Sequence, residues 1–184
     1  MAKTIANITL GSGDLYLNDI DVGYLKGDVE FSYVREKLDF KPSGSLGPVV
    51  QFVIGENAQL KASAAEFNVA NLKLAMGVTD AITSFSGNPS YNPASYEVDG
   101  AEVYDAITFG GSTTVDGSVA LRFEHVRANS TKKIVVILYT AVSLSDLTLA
   151  FQEEDILMTD IVFRGLNDET RPDGDQIGMI LEQE

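Results

Sequence analysis

The chain has no cysteine and no tryptophan, a single histidine, and 13 basic side chains against 27 acidic ones. Each shortage removes a class of function. Without cysteine there are no disulfide frameworks, thiolate metal sites or cysteine nucleophiles. The acid excess gives a formal net charge of -14. Phosphate-backbone binding needs clustered lysine and arginine, and no segment supplies such a patch. A surface of this kind favours solubility, and it equally suits a protein past which nucleic acid moves without adhering. No apolar run is long enough to cross a bilayer, since the best, Ile134 to Leu138, has the length of a strand. The opening residues lack the apolar run of a signal peptide, so the expectation is synthesis and residence in a cytosol. Asn7-Ile8-Thr9 and Asn129-Ser130-Thr131 match the glycosylation pattern, but outside a secretory route the match carries no meaning.

Catalytic and metal chemistry find little to work with. His125 follows Val119, Leu121 and Phe123 in strand parity, which puts it at the end of a core-facing row. No Gly-x-Ser-x-Gly nucleophile elbow accompanies it. Asp14, Asp19, Asp21 and Asp28 fall near turns, and Asp173-Gly174-Asp175 adds a further pair. None has the loop with a closing Glu that calcium prefers, so they read as solvated turn residues. Glu153-Glu154-Asp155 reads as a solvated face, and Gly11-Ser12-Gly13 is too short to cradle a phosphate. The expectation is therefore a non-enzyme, with no catalytic residues, no cofactor and no metal. A carbohydrate- or ligand-binding domain would want exposed aromatics at a pocket, for which Tyr91 and Tyr96 are the only support.

What is present is β-structure. At 184 residues the chain fits one domain, 1–184, large enough to bury a core without crosslinks. Leu15-Tyr16-Leu17, then Asn18-Asp19, then Ile20, Val22 and Tyr24 predicts a hairpin. Lys26-Gly27 marks the next turn before Val29, Phe31 and Tyr33. Strands are expected at Val49–Ile54, Gln59–Ala64, Ala101–Ile107, through Val119, Leu121 and Phe123, at Ile134–Tyr139, and from Ile156 to Phe163. Ile134–Tyr139 is apolar on both faces, so both should be covered. One helix is expected: Asn68 can cap it, Val69, Leu72 and Met76 share a face, and Gly77 ends it. Residues 79–93 read as irregular loop. The fold class is all-β with one short helix, an antiparallel β-sandwich or barrel.

One segment does not serve that core. From Phe31 a strand runs through Arg35-Glu36-Lys37-Leu38-Asp39 into Lys41-Pro42-Ser43-Gly44-Ser45-Leu46-Gly47-Pro48, a stretch that no helix or central strand could hold. A small domain closes its own core without so long an excursion. The projecting loop, about 35–48, therefore reads as an assembly element, with Lys37, Phe40, Lys41, Pro42, Leu46 and Pro48 as candidate contacts.

The order of several pieces resembles the tail tube proteins of long-tailed phages. These are Gly13-Asp14-Leu15-Tyr16-Leu17-Asn18 with Val22-Gly23, the Phe31-to-Pro48 segment, and Leu60-Lys61-Ala62-Ser63-Ala64-Ala65-Glu66 leading into the helix. Phe163-Arg164-Gly165-Leu166-Asn167-Asp168 with Arg171-Pro172-Asp173-Gly174 completes them, opening a C-terminal segment at about 165–184. The resemblance implies a virion protein, made in the host cytoplasm and destined for the tail. Its identical subunits would form hexameric rings stacked as a hollow tube. Its partners would be copies of itself, a tape measure and a tail terminator, with DNA only in transit and no membrane. Open strand edges would then be paired by neighbouring subunits. Glu30, Glu102, Asp105 and Glu124 are candidate lumen carboxylates that would repel passing DNA. Alternatives are a capsid decoration or tail-adaptor protein, or the tube of a phage-like secretion or bacteriocin machine.

Overall fold

Among the described residues ten strands follow the alternation of apolar residues, and one helix joins them. The computed structural model describes residues 13–65, 69–76, 83–88, 99–106, 117–127, 131–145 and 159–183. The elements are β1 (Asp14–Leu17), β2 (Ile20–Asp21), β3 (Glu30–Phe40), β4 (Val50–Ala64), α1 (Val69–Ala75), β5 (Thr83–Asn88), β6 (Asp99–Ala106), β7 (Ser118–Val126), β8 (Lys133–Ser143), β9 (Thr159–Gly165) and β10 (Gly178–Glu182). All named strand pairs are antiparallel. The main sheet runs β2-β1-β7-β8-β9-β4-β3, with β10 added against β8, and β5 and β6 form a separate pair. The sheet is not closed: among the described residues β2 and β3 are end strands. A barrel is thus not realised.

Local chemistry explains the turns. Asn18 and Asp19 both have positive φ, 50° and 62°, the backbone of the two-residue turn that matches strand twist and that Asn and Asp tolerate. Ala120 donates its N–H to Asn18 Oδ1 at 2.8 Å, which ties this turn to β7. Alternation then builds the core. Leu15 and Leu17 of β1, Leu121 of β7, Leu138 of β8, Phe163 of β9 and Leu60 of β4 are all buried in one cluster. Full burial of each such side chain contributes roughly 1.5–3 kcal/mol. Helix α1 presents Leu72 and Ala75 inward, and Asn71 Nδ2 donates to the Val22 carbonyl at 2.8 Å. Its expected cap, Asn68, and terminator, Gly77, lie outside the described residues.

The strand β8 is a fork. One edge pairs with β7 over its length, while the other is shared: Ala141–Ser143 pair with β9 and Ile134–Leu138 with β10. The connection 166–177 crosses between them. It is stapled by Arg171, whose guanidinium lies 3.5 Å from the Tyr139 ring centroid and reaches Asp175 Oδ2 at 3.0 Å. Asp175 also accepts from the Tyr139 hydroxyl. At Gly178 a Cβ would collide with the Ile137 carbonyl, so the close approach of β10 to β8 requires glycine there.

Four expectations change. Val49–Ile54 and Gln59–Ala64 are not two strands but the single fifteen-residue β4. The excursion is not irregular from Arg35: β3 continues to Phe40, so Lys37 and Phe40 stand on a paired strand and only 41–49 turn the chain. The region 79–93 contains β5. In β8 only Val136, Leu138 and Ala141 are buried, and Val135, Ile137 and Tyr139 on the other side keep partial exposure. Unpredicted, β10 fills the C-terminal segment.

Candidate assembly surface

The β3–β4 hairpin extends past the body of the sheet. From Gln59 to Ala64, β4 has β9 on its second edge. From Val50 to Ala58 no described strand occupies that edge, and the outer edge of β3 has no strand partner among the described residues. An isolated two-stranded ribbon is marginal in water, so this arm draws its order from its root and from its own cross-strand pairs.

Register assigns the two faces. At the root the inner face holds Phe31 opposite Leu60 and Tyr33 opposite Ala58, in line with the core, while the outer face holds Glu30 opposite Lys61 and Ser32 opposite Gln59. Beyond a bulge at Glu36/Lys37 the polarity inverts. The inner face now carries Lys37 opposite Val53 and Asp39 opposite Gln51, while the outer face carries Leu38 opposite Phe52 and Phe40 opposite Val50. Gln51 Nε2 donates to Asp39 Oδ1 at 2.8 Å, and Arg35 pairs with Glu56 at 3.1 Å just before the inversion. Ile54 is the extra residue at the bulge. By absorbing one residue of β4 it puts Phe52 and Val50 on the side of Leu38 and Phe40. A hydrogen bond to Glu56, with smaller contributions from burial and the Glu56 charge, raises the Tyr33 phenol above its ordinary value. Val34, Leu38, Phe40, Val50 and Phe52 are all exposed. Solitary exposed apolar residues are ordinary, but a contiguous one-sided set marks an interaction surface.

The tip is held by its own bonds. Ser45 donates its N–H to the Pro42 carbonyl at 3.2 Å, with Gly44 at φ 85° in the position that a type II turn reserves for glycine. Ser45 Oγ donates to the Gly47 carbonyl at 2.6 Å, and Val49 N–H to the Phe40 carbonyl at 2.9 Å. This leaves the Leu46 side chain wholly in solvent, at 102% relative exposure.

The expected contacts Lys37, Phe40, Lys41, Pro42, Leu46 and Pro48 therefore share one arm. Of the expected lumen carboxylates, Glu30 and Glu124 have described side chains. Glu30 and Glu124 lie on the outer face of the main sheet, at β3 and β7, whereas Glu102 and Asp105 belong to β6 of the separate pair, where their side chains lie outside the described residues. Glu30 faces Lys61 in register. Glu124 accepts from Lys133 Nζ at 2.7 Å and pairs with Arg122 at 3.0 Å. The Lys133 hydrogen bond, above all, holds the Glu124 carboxyl below its ordinary value. Described lumen candidates thus stand among cations rather than in a run of acid. His125 is buried at the end of β7, in the inward row expected of it. Sequence reading missed Val34, Leu38, Val50 and Phe52 as surface residues. The available signal was Phe31 and Tyr33 giving way to Leu38 and Phe40, a change of parity inside one strand, with Gly55 opposite it.

Compared with models of known protein families and with curated proteins, the chain matches none.

Proposed function

We propose that this chain is a structural subunit that assembles with copies of itself into a hollow tail tube through which DNA passes. The single observation that carries the reading is the inverted polarity of the arm, which turns an apolar surface away from the core formed by the described residues. Two further features support it. The end strands β2 and β3 leave backbone edges of the kind that neighbours pair, and a head-to-tail contact between identical subunits closes into rings or propagates into filaments. The net charge of -14 makes a conduit that repels phosphate. The fold is then of tail-tube type, with the tape measure and tail terminator as further partners and the virion tail as destination.

The test is electron microscopy of the concentrated protein, intact and with Lys41 to Gly47 deleted. Hollow filaments from the intact chain and single subunits from the deletion are expected. An intact chain that stays monomeric at millimolar concentration overturns the reading.

A further inference from the structure

Beside the arm's root lies a cleft of about 270 Å³, between the inner face of β3 and β4 and the free side of β10. Phe31, Tyr33, Ala58, Leu138, Met179 and Ile180 supply most of its apolar wall, with Glu56 at its edge. It is below the usual volume of a small-molecule pocket, roughly 300–1,000 Å³, and Asn167 and Gln176 line it beside the apolar side chains. Its size suits one or two large apolar side chains.

The same chain carries a matching projection at the far end of the arm. Leu46 is fully exposed on a turn already closed by hydrogen bonds, so little ordering entropy stands against its insertion. Charge favours the same pairing. Residues 31–54 hold three basic and two acidic side chains, and the remainder of the chain holds ten basic and twenty-five acidic. Lys41 stands near the tip, while Glu56, itself paired with Arg35, lines the cleft, and Asp173 accepts from the lining residue Gln176.

We infer that Leu46 of one copy seats in the cleft of a second copy, with Lys41 directed to the acidic rim. This rests on the self-assembly reading and names the surface that receives the arm. Projection and cleft on one chain are separated by the arm itself, roughly 23 Å for seven strand residues at about 3.3 Å each. The contact is therefore heterologous: each added copy leaves one projection and one cleft unfilled, and assembly continues until a ring closes or the filament ends.

The absence of cysteine permits a test without background. Leu46→Cys and Ile180→Cys chains, both substituted at exposed positions, are mixed and treated with a short bismaleimide, with sedimentation followed in parallel. A crosslinked heterodimer is expected, absent when Tyr24→Cys replaces Ile180→Cys. Leu46→Asp should raise the concentration needed for association roughly tenfold or more and leave the circular dichroism spectrum unchanged. Association without the 46–180 crosslink, or undiminished in Leu46→Asp, overturns this inference and leaves the assembly reading standing. Loss of association in the unsubstituted protein overturns both.

Discussion

The lower and upper halves of β3 and β4 are the same two strands in two different environments. In the body, Phe31 and Leu60 face inward and Glu30 and Lys61 face out. In the arm, the polar pair Asp39 and Gln51 lies on the inward side and Phe40 and Val50 lie outside. The difference teaches that a strand's polarity follows whatever it is built to lie against. The body's apolar side packs into a core, and the arm's apolar side is exposed.

Breaking the body should cost the most. Phe163→Ala, at a fully buried position, is expected to lower folding stability by about 3–5 kcal/mol, read from denaturant midpoints. Breaking the arm should move a different observable. Phe40→Asp with Phe52→Asp should abolish sedimenting assemblies while shifting the monomer's midpoint by no more than about 2 kcal/mol, because neither side chain is buried in the monomer and only two cross-strand pairs are lost. A double variant that unfolds like Phe163→Ala would erase the distinction between the two halves.

Acid should loosen the body. Glu124, Asp168 and Asp175 have carboxyls held below their ordinary values of 4.5, 3.8 and 3.8. The first is lowered chiefly by Lys133, the second by Thr170 and the third by the Tyr139 hydroxyl. With folded-state values depressed, the unfolded chain binds protons more readily. Their contribution is thus complete above the ordinary values and disappears as pH falls through the lowered ones. Denaturant midpoints should be flat from pH 7 to about 5 and fall below about 4. Glu124→Gln, which removes one of these carboxylates from a site only 12% exposed, should cost about 1 kcal/mol at pH 7 and flatten part of that decline. The smallest effect is expected on the arm's polar side. Asp39→Ala should change stability by less than about 0.5 kcal/mol and leave filament formation intact, in contrast to the outward face of the same strand.

Much of the body is legible in the amino-acid sequence. Leu15 and Leu17, the Asn18-Asp19 turn and the Val119–Phe123 row all follow a period of two with turn chemistry at the right place, and each needs only its immediate neighbours to be understood. The expected strand pair at 49–54 and 59–64 failed for the opposite reason. Gly55 and Asn57 look like a break, yet register with Glu36 and Val34 carries β4 straight through them. Of the candidate assembly surface, the arm's position and the prominence of Leu46 were legible from Pro42, Gly44 and Pro48. Its apolar face was not, because Val49–Ile54 is as apolar as any core strand.

By itself the amino-acid sequence determined an antiparallel β protein with one short helix, no crosslinks, a strongly acidic charge and a projecting segment around 35–48, since these follow from composition and local periodicity. Only the tertiary structure decided that the sheet stays open, that β8 forks to admit β10, and that the Ile54 bulge turns the arm's apolar side outward. Those outcomes depend on register between residues far apart in the chain, and periodicity within a strand carries no information about what lies across from it.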